Sequence, residues 1–318
     1  MTNQKIYYRK ARDFGEIFGG TISYLKRNFK SLFGAILALA GPFFLLNSIA
    51  SSFLLKFSFL RSAYSTNPMQ MLNDMIGPLA LVIFFSIIGS SVYNTVVNDH
   101  ILLNDELPPD EKPSLSLIAK RFFSSYWRNL GVMFLMLFFG IIAYVVFALI
   151  IVGLVFLLKG IGFIGIFLMI LMFMLLFFIL FPIMLYIIVA IIFTSQRHKL
   201  SFFSATSRVF HYLKGNFWMT WLISFVGGMC TYILVIIAYL PVYILMMISF
   251  FSRANLNNLN SINNIQTEIP LYVTILTSIV SLLIICISSI YLVMMNFQCA
   301  SNEEKKDGTS ILEKIESI

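Results

Sequence analysis

Charge is scarce in this chain. Asp, Glu, Lys and Arg make up 11% of its 318 residues, 59% are hydrophobic, and the mean hydropathy is +0.89. A soluble domain carries roughly a quarter charged residues, so a water-soluble globular protein is excluded. Cysteine is almost absent, and Cys230, Cys286 and Cys299 have no spacing suited to metal, haem or redox work. The sequence also lacks a Gly-rich phosphate loop, a GxSxG elbow, an HExxH helix and any polar stretch large enough to be a soluble catalytic domain. Its apolar runs do not alternate with period two, which excludes a β-barrel. No catalytic residue, cofactor or metal site is expected.

What is present is long uncharged runs that exceed the ~20 residues needed to cross a bilayer. Six span cores are expected near residues 31–55, 77–97, 130–158, 163–195, 216–250 and 270–298. Three of the runs are too long for one upright helix. Pro182 predicts a break in the fourth, and Gly227, Gly228 and Pro241 are candidate bends in the fifth. Of 22 Lys and Arg residues, only Lys56, Arg61, Lys159 and Arg253 fall on the side of the span 1–2, 3–4 and 5–6 loops. The other eighteen place both termini in the cytoplasm. The +8 net charge is therefore accounted for by topology and by contact with anionic headgroups, without a nucleic-acid partner. No secretory signal is expected, since the first apolar run starts some 30 residues in. Abundant Phe, Ile, Leu, Asn and Lys fit an AT-rich bacterial source, hence a bacterial cytoplasmic membrane.

Three segments end alike: "SYLKRNF" at 23–29, "SYWRNL" at 125–130 and "YLKGNF" at 212–217, each just before an odd-numbered span. Tyr24 and Asn28, Tyr126 and Asn129, and Tyr212 and Asn216 carry the shared pattern. Upstream of each runs a helical stripe. In the third, Phe202, Phe203, Ala205, Val209, Phe210 and Leu213 oppose Ser201, Ser204, Arg208, His211 and Lys214. Asp13 with Glu16 reads as a capping box, and Ser114 and Ser201 as N-caps. The expected fold is an all-α polytopic membrane protein of six transmembrane helices, built as three repeats of one interfacial amphipathic helix plus a two-helix hairpin. The repeats cover about 11–100, 114–197 and 200–300, with a cytoplasmic tail over 301–318. Residues 14–27, 115–127 and 201–213 should lie along the membrane plane, each with a kink near its Asn. Lys26, Arg27, Lys120, Arg121, Arg128, Arg208 and Lys214 are the candidate interfacial and docking residues.

The stretch "SFFSATSRVFHYLKGNFWMTW" resembles the recurring pattern of a bacterial membrane-domain family. That family includes the membrane domain attached to some glycerophosphodiester phosphodiesterases and the YciC-like proteins. Ser201, Arg208, Lys214, Gly215, Phe217 and Trp218 fit the pattern; the first and second segments lack the Gly before Asn. The resemblance implies a six-span accessory membrane subunit. It does not carry over the phosphodiesterase activity, whose catalytic domain has no counterpart here.

Every Asp, Glu, Lys, Arg and His falls outside the six cores, which argues against a proton- or sodium-coupled transporter. Asn47, Ser86, Ser90, Asn94 and the other polar residues inside the cores read as packing and interhelical hydrogen bonds. The stretch "VNDHILLNDELPPDEKPS" at 97–114 gathers six acidic or histidine side chains without metal-binding spacing. It reads as a solvated loop that could dock a soluble partner. His198 and His211 have no carboxylate near them in sequence and read as headgroup-facing. The 56–76 and 252–268 loops lie outside, and the tail is amphipathic through Ile311, Leu312, Ile315 and Ile318. The expected function is a non-catalytic scaffold or anchor subunit in a larger membrane complex with membrane and cytoplasmic partners. A carrier or insertase-like protein for lipid or another hydrophobic substrate is the alternative.

Overall fold

The computed structural model describes residues 7–58, 68–158, 162–253 and 271–308. Among these residues are eight helices and no strand: α1 Phe14–Leu39, α2 Gly41–Ser58, α3 Pro68–Glu106, α4 Leu115–Leu158, α5 Gly162–His198, α6 Phe202–Leu213, α7 Phe217–Arg253 and α8 Leu271–Asp307. Helices α3, α4, α5, α7 and α8 are each long and apolar enough to cross a membrane. With α1 and α2 counted as one bent unit, the total is six. The chain is an all-α polytopic membrane protein.

The expected first span, 31–55, is broken. Its two helices meet at 52°, and Pro42 explains the bend. Proline has no N–H, and its ring crowds the carbonyl four residues back, here Ala38. The chain closes α1 with Ala40 N–H on Ile36 O at 2.9 Å, and the Phe43 and Phe44 N–H groups both turn to Ala40 O. Pro182, by contrast, does not break α5, nor do Gly227, Gly228 and Pro241 break α7. Pro182 leaves the carbonyl of Phe178 without its helical donor, and the Trp221 indole N–H of α7 takes that place at 3.2 Å. Ser224 donates to Pro182 O at 2.6 Å and accepts from the Tyr291 hydroxyl at 2.7 Å. Gly227 permits close approach of α8, since a Cβ there would lie 1.7 Å from the buried Met294 Cε. The long runs stay single continuous helices. The 44 residues of α4 reach about 66 Å against a hydrocarbon core of about 30 Å.

All three amphipathic segments are helical, but two of the three expected kinks are absent. α1 passes Asn28 and α4 passes Asn129 without a break. These segments are therefore continuations of the span helices rather than separate in-plane helices. Only α6 is a separate helix, ended by Gly215 at φ +93°. The corresponding position before Asn holds Arg27 and Arg128 in the other two, and a left-handed backbone there would cost a side chain with a Cβ about 1–2 kcal/mol. Asp13 and Glu16 do form the capping box, with Glu16 N–H on Asp13 Oδ1 at 2.8 Å and Asp13 N–H on Glu16 Oε2 at 3.3 Å. Ser114 accepts from Leu117 N–H at 3.4 Å. Ser201 has the extended conformation of an N-cap but makes no capping bond; its hydroxyl turns to Ser204.

Burial is uneven along the bundle. Every residue from Leu292 to Glu304 of α8 is buried, roughly three and a half turns with no solvent-facing side. Around α8 pack α1, α2, α3, α5, α6 and α7. At the other extreme, α4 has no buried side chain described between Met133 and Leu154, and its Phe, Ile, Leu and Val residues face outward. A tight hub, where residues 8–12 meet the end of α8, thus passes into apolar helices whose side chains face outward. The outer loops expected over 56–76 and 252–268 shrink, since α2 runs to Ser58, α3 starts at Pro68 and α7 runs to Arg253; their remainder, and the tail helix from 309, lie outside the described residues.

Candidate functional site

The hub is where the polar chemistry collects. The end of α3, expected as a solvated loop, is helical to Glu106, and Asn98, Asp99 and His100 on it are almost wholly buried. Asp99 Oδ1 accepts from Gln196 Nε2 at 2.6 Å and Ser125 Oγ at 3.2 Å, and Arg121 Nε lies 3.2 Å away. Gln196 Oε1 accepts from Asn129 Nδ2 at 2.7 Å, whose second hydrogen goes to Thr95 Oγ1 at 2.9 Å. Helices α3, α4 and α5 are thus tied by one amide–carboxylate network. Buried polar groups need such partners, because each left unpaired costs about 1–3 kcal/mol.

His100 forms a second tie. Ser31 Oγ donates to Pro113 O, so it accepts from His100 Nε2–H at 3.0 Å. Nδ1 is then the acceptor for the Tyr24 hydroxyl at 2.6 Å. Both ring nitrogens are occupied in the neutral tautomer. The bonds from Ser31 to Pro113 O and from Arg27 to Pro109 O fasten the loop after α3 onto α1. Of the expected docking loop, Glu106, the turn from Pro108 to Lys112 and Ser114 are exposed, while 97–102, Asn104 and Pro113 are buried.

The third cluster surrounds the end of α8. Asn296 donates to Asn98 Oδ1 at 2.8 Å, Gln298 to Thr220 at 2.9 Å, and Asn302 to Tyr186 at 3.1 Å and Thr220 at 3.0 Å. Glu303 is buried among Arg197, His198 Nε2 at 3.0 Å and Arg208 Nη2 at 3.5 Å. His198 therefore does have a carboxylate neighbour, brought from 105 residues away in sequence by the fold, whereas His211 is exposed as expected. Residues 301–304, expected in a free tail, belong to the core of the hub. The N-terminal stretch closes over it: Arg12 N–H donates to Ser301 Oγ at 2.9 Å, and Tyr8 is buried against Phe193 with ring centroids 5.9 Å apart. Outside the spans, burial raises the Tyr212 phenol, and its bond to Asp307 at 2.6 Å acts in the same direction. Tyr212 thus stays a proton donor at any physiological pH.

Of the seven expected docking residues, Lys26, Lys120 and Lys214 are exposed. The four arginines are half-buried and pair within the chain. Arg27 serves Pro109, Arg121 serves Asp99 and Glu106, Arg128 donates to Gln196 O at 3.3 Å, and Arg208 serves Glu303 and Tyr212. In the shared pattern Tyr24, Asn28, Asn129 and Tyr212 are buried, while Tyr126 and Asn216 are half-buried. Counted back from Asn28, Asn129 and Asn216, the positions four, seven and eleven residues earlier are buried in all three segments: Tyr24, Thr21 and Ile17; Ser125, Phe122 and Ile118; Tyr212, Val209 and Ala205. The position six residues earlier, Ile22, Phe123 or Phe210, is exposed in all three. Ser125 rather than Tyr126 therefore holds the place of the buried tyrosines.

The sequence placed Asp99 and His100 in a solvated loop, whereas they are buried, and it gave no role to Gln196, Asn296, Asn302 or Glu303. One signal could have found most of them: the C-terminal ends of the even-numbered spans, "NDH", "SQRH" and "SNEE", are all rich in amides and charges. Among the described residues no group of three or more His, Cys, Asp or Glu is placed to hold a metal ion. Compared with known proteins, the chain matches no family model, no curated protein and no solved structure.

Proposed function

We propose that this protein is a non-catalytic scaffold or anchor subunit of a bacterial cytoplasmic-membrane complex, with both termini in the cytoplasm. The observation that carries the proposal is the hub. Its buried carboxylates, arginines and amides are engaged with one another in ties between helices, which is the use of polar groups that fixes a unique packing. From that rigid end, α4, the first half of α5 and much of α7 extend with apolar surfaces that only lipid or another membrane helix can cover. The eighteen-to-four distribution of basic residues supports the cytoplasmic placement of the hub. The resemblance over residues 201–218 to accessory membrane domains points the same way. The test is affinity purification in mild detergent followed by mass spectrometry. Stoichiometric membrane and cytoplasmic partners are expected.

A carrier or insertase-like role for lipid or another hydrophobic substrate is the second reading, and one feature favours it. Between α2 and α3 lies an open groove of about 780 Å³, lined by apolar atoms of Ala50, Phe53, Pro78, Leu81 and Phe84. The burial of Asp99, His100 and Glu303 also weakens the argument against transport that rested on a bundle free of ionisable groups. Isolation of the protein alone, with a hydrophobic molecule seated between α2 and α3, would replace the scaffold reading with this one.

A further inference from the structure

We infer that the outward face of α6, where it meets the end of α8, binds the headgroup of an amine-bearing zwitterionic phospholipid. The inference rests on the membrane-spanning fold alone and stands whether the protein is a scaffold or a carrier. α6 buries Ala205, Val209, Tyr212 and Leu213 against the bundle. Its other side exposes Phe203, Ser204, Ser207, Phe210, His211 and Lys214. This corrects the expected apolar face, which had placed Phe203 and Phe210 with the buried residues.

An open cleft of about 760 Å³ runs along this face, with Ser204, Ser207, Arg208, His211 and Asp307 among its lining. The cleft carries both signs of charge. Arg208 Nη2 lies 3.8 Å from Asp307 Oδ2, and the Tyr212 hydroxyl donates to the same oxygen at 2.6 Å. Both contacts use Oδ2, which leaves Oδ1 for a donor from outside. A primary ammonium supplies that donor. The phosphate attached to it two carbons away matches the Arg208 guanidinium, the His211 ring and the two serine hydroxyls. A purely anionic headgroup would meet the Asp307 carboxylate as a like charge, and like-charge juxtaposition is what complementarity avoids. A quaternary ammonium has no N–H for Oδ1.

The surroundings select a lipid over a soluble phosphate ester. Phe203 is 64% exposed and Phe210 51%, flanking the cleft along the helix, and Trp218 just beyond the Gly215 turn is 68% exposed. Of the three, Trp218 has the amphipathic ring that collects at the headgroup level, and the two phenylalanines offer apolar contact to acyl chains. α6 also packs through Phe202 and Phe203 onto Phe139 of α4, with ring centroids 5.6 and 5.8 Å apart. Phe139 belongs to the outward-facing apolar band of α4, so acyl chains from a headgroup in the cleft have a hydrocarbon-lined path downward.

The test titrates purified full-length protein in detergent with dihexanoyl phosphatidylethanolamine, phosphatidylcholine and phosphatidylglycerol, and with glycerophosphoethanolamine, read by native mass spectrometry. Phosphatidylethanolamine should bind at least about tenfold more tightly than the other two lipids, a difference of about 1.4 kcal/mol. Glycerophosphoethanolamine should bind more weakly still. Asp307→Asn should abolish the preference over phosphatidylglycerol, and Ser207→Leu, which fills the cleft without touching the hub, should weaken phosphatidylethanolamine binding by a similar factor. Equal binding of the three lipids by the unaltered protein, or tighter binding of phosphatidylglycerol, overturns the inference. So does undiminished binding of glycerophosphoethanolamine, which would mark a site for a soluble ester.

Discussion

Replacing Arg121 by Gln should damage the protein more than replacing its buried partner Asp99 by Asn, although Arg121 is the more exposed of the two. The Asp99 side chain is wholly buried and that of Arg121 is 27% exposed. Without Arg121, a carboxylate sits in the hub with only the neutral donors Gln196 and Ser125 on one oxygen. Removing one member of a fully buried pair costs about 3–5 kcal/mol; here Arg121 is partly exposed and Arg128 still acts on Asp99, so the expected loss is about 2–3 kcal/mol. Without the Asp99 charge, Arg121 still has water and Glu106 at 2.6 Å, and the amide oxygen that replaces the carboxylate can still accept from Gln196 and Ser125. The loss is then about 1–2 kcal/mol, one or two weakened hydrogen bonds. The double substitution strands nothing and should cost about the same as Asp99→Asn alone, so the cycle should show strong coupling between contacting residues. The assay is equilibrium unfolding of the four purified proteins in mixed micelles with rising denaturing detergent. If Arg121→Gln costs no more than Asp99→Asn, or the two losses simply add, then Asp99 is hydrated and the network is not a structural tie.

Trp221→Phe should destabilise by about 0.5–1.5 kcal/mol by removing the donor for the Phe178 carbonyl; the same substitution beside Pro182→Ala, which restores the backbone donor, should cost measurably less in the same unfolding assay. Gly215→Ala forces a Cβ into a backbone at φ +93° and should cost about 1–3 kcal/mol, with α6 losing its fixed angle to α7; unchanged distances between spin labels at 207 and 222 would contradict this. Impermeant thiol reagents should reach a cysteine at Glu111, an exposed position on the loop after α3, only from the cytoplasmic side, and one at residue 260 only from outside. Labelling of both from one side would contradict the six-crossing topology.

The segments whose structure was legible in the sequence are those governed by local or one-body terms. Long apolar runs predict membrane helices because each residue's transfer into hydrocarbon is favourable on its own. The Asp13–Glu16 box is legible because its partners lie three residues apart. Gly215 signals a break because no other residue tolerates its backbone at so little cost. The continuity of α1 and α4 was legible in part, since both lack that glycine.

The hub was not legible, and the reason is physical. Hydropathy assigns Asp99, His100 and Glu303 to water because it prices each side chain alone. Whether such a group is buried depends on what the rest of the chain brings to it. Arg121 reaches Asp99 across 22 positions, Gln196 reaches it across 97, and Ser301 meets Arg12 across 289. The sequence by itself determined the class, the long apolar helices, the bias of basic charge and the helical nature of each amphipathic segment. Only the tertiary structure decided that the arginines of those segments pair with distant groups of the same chain and that the end of α8 is the central post. It also decided that Phe203 and Phe210 face outward, because each of these outcomes is set by a partner distant in the chain.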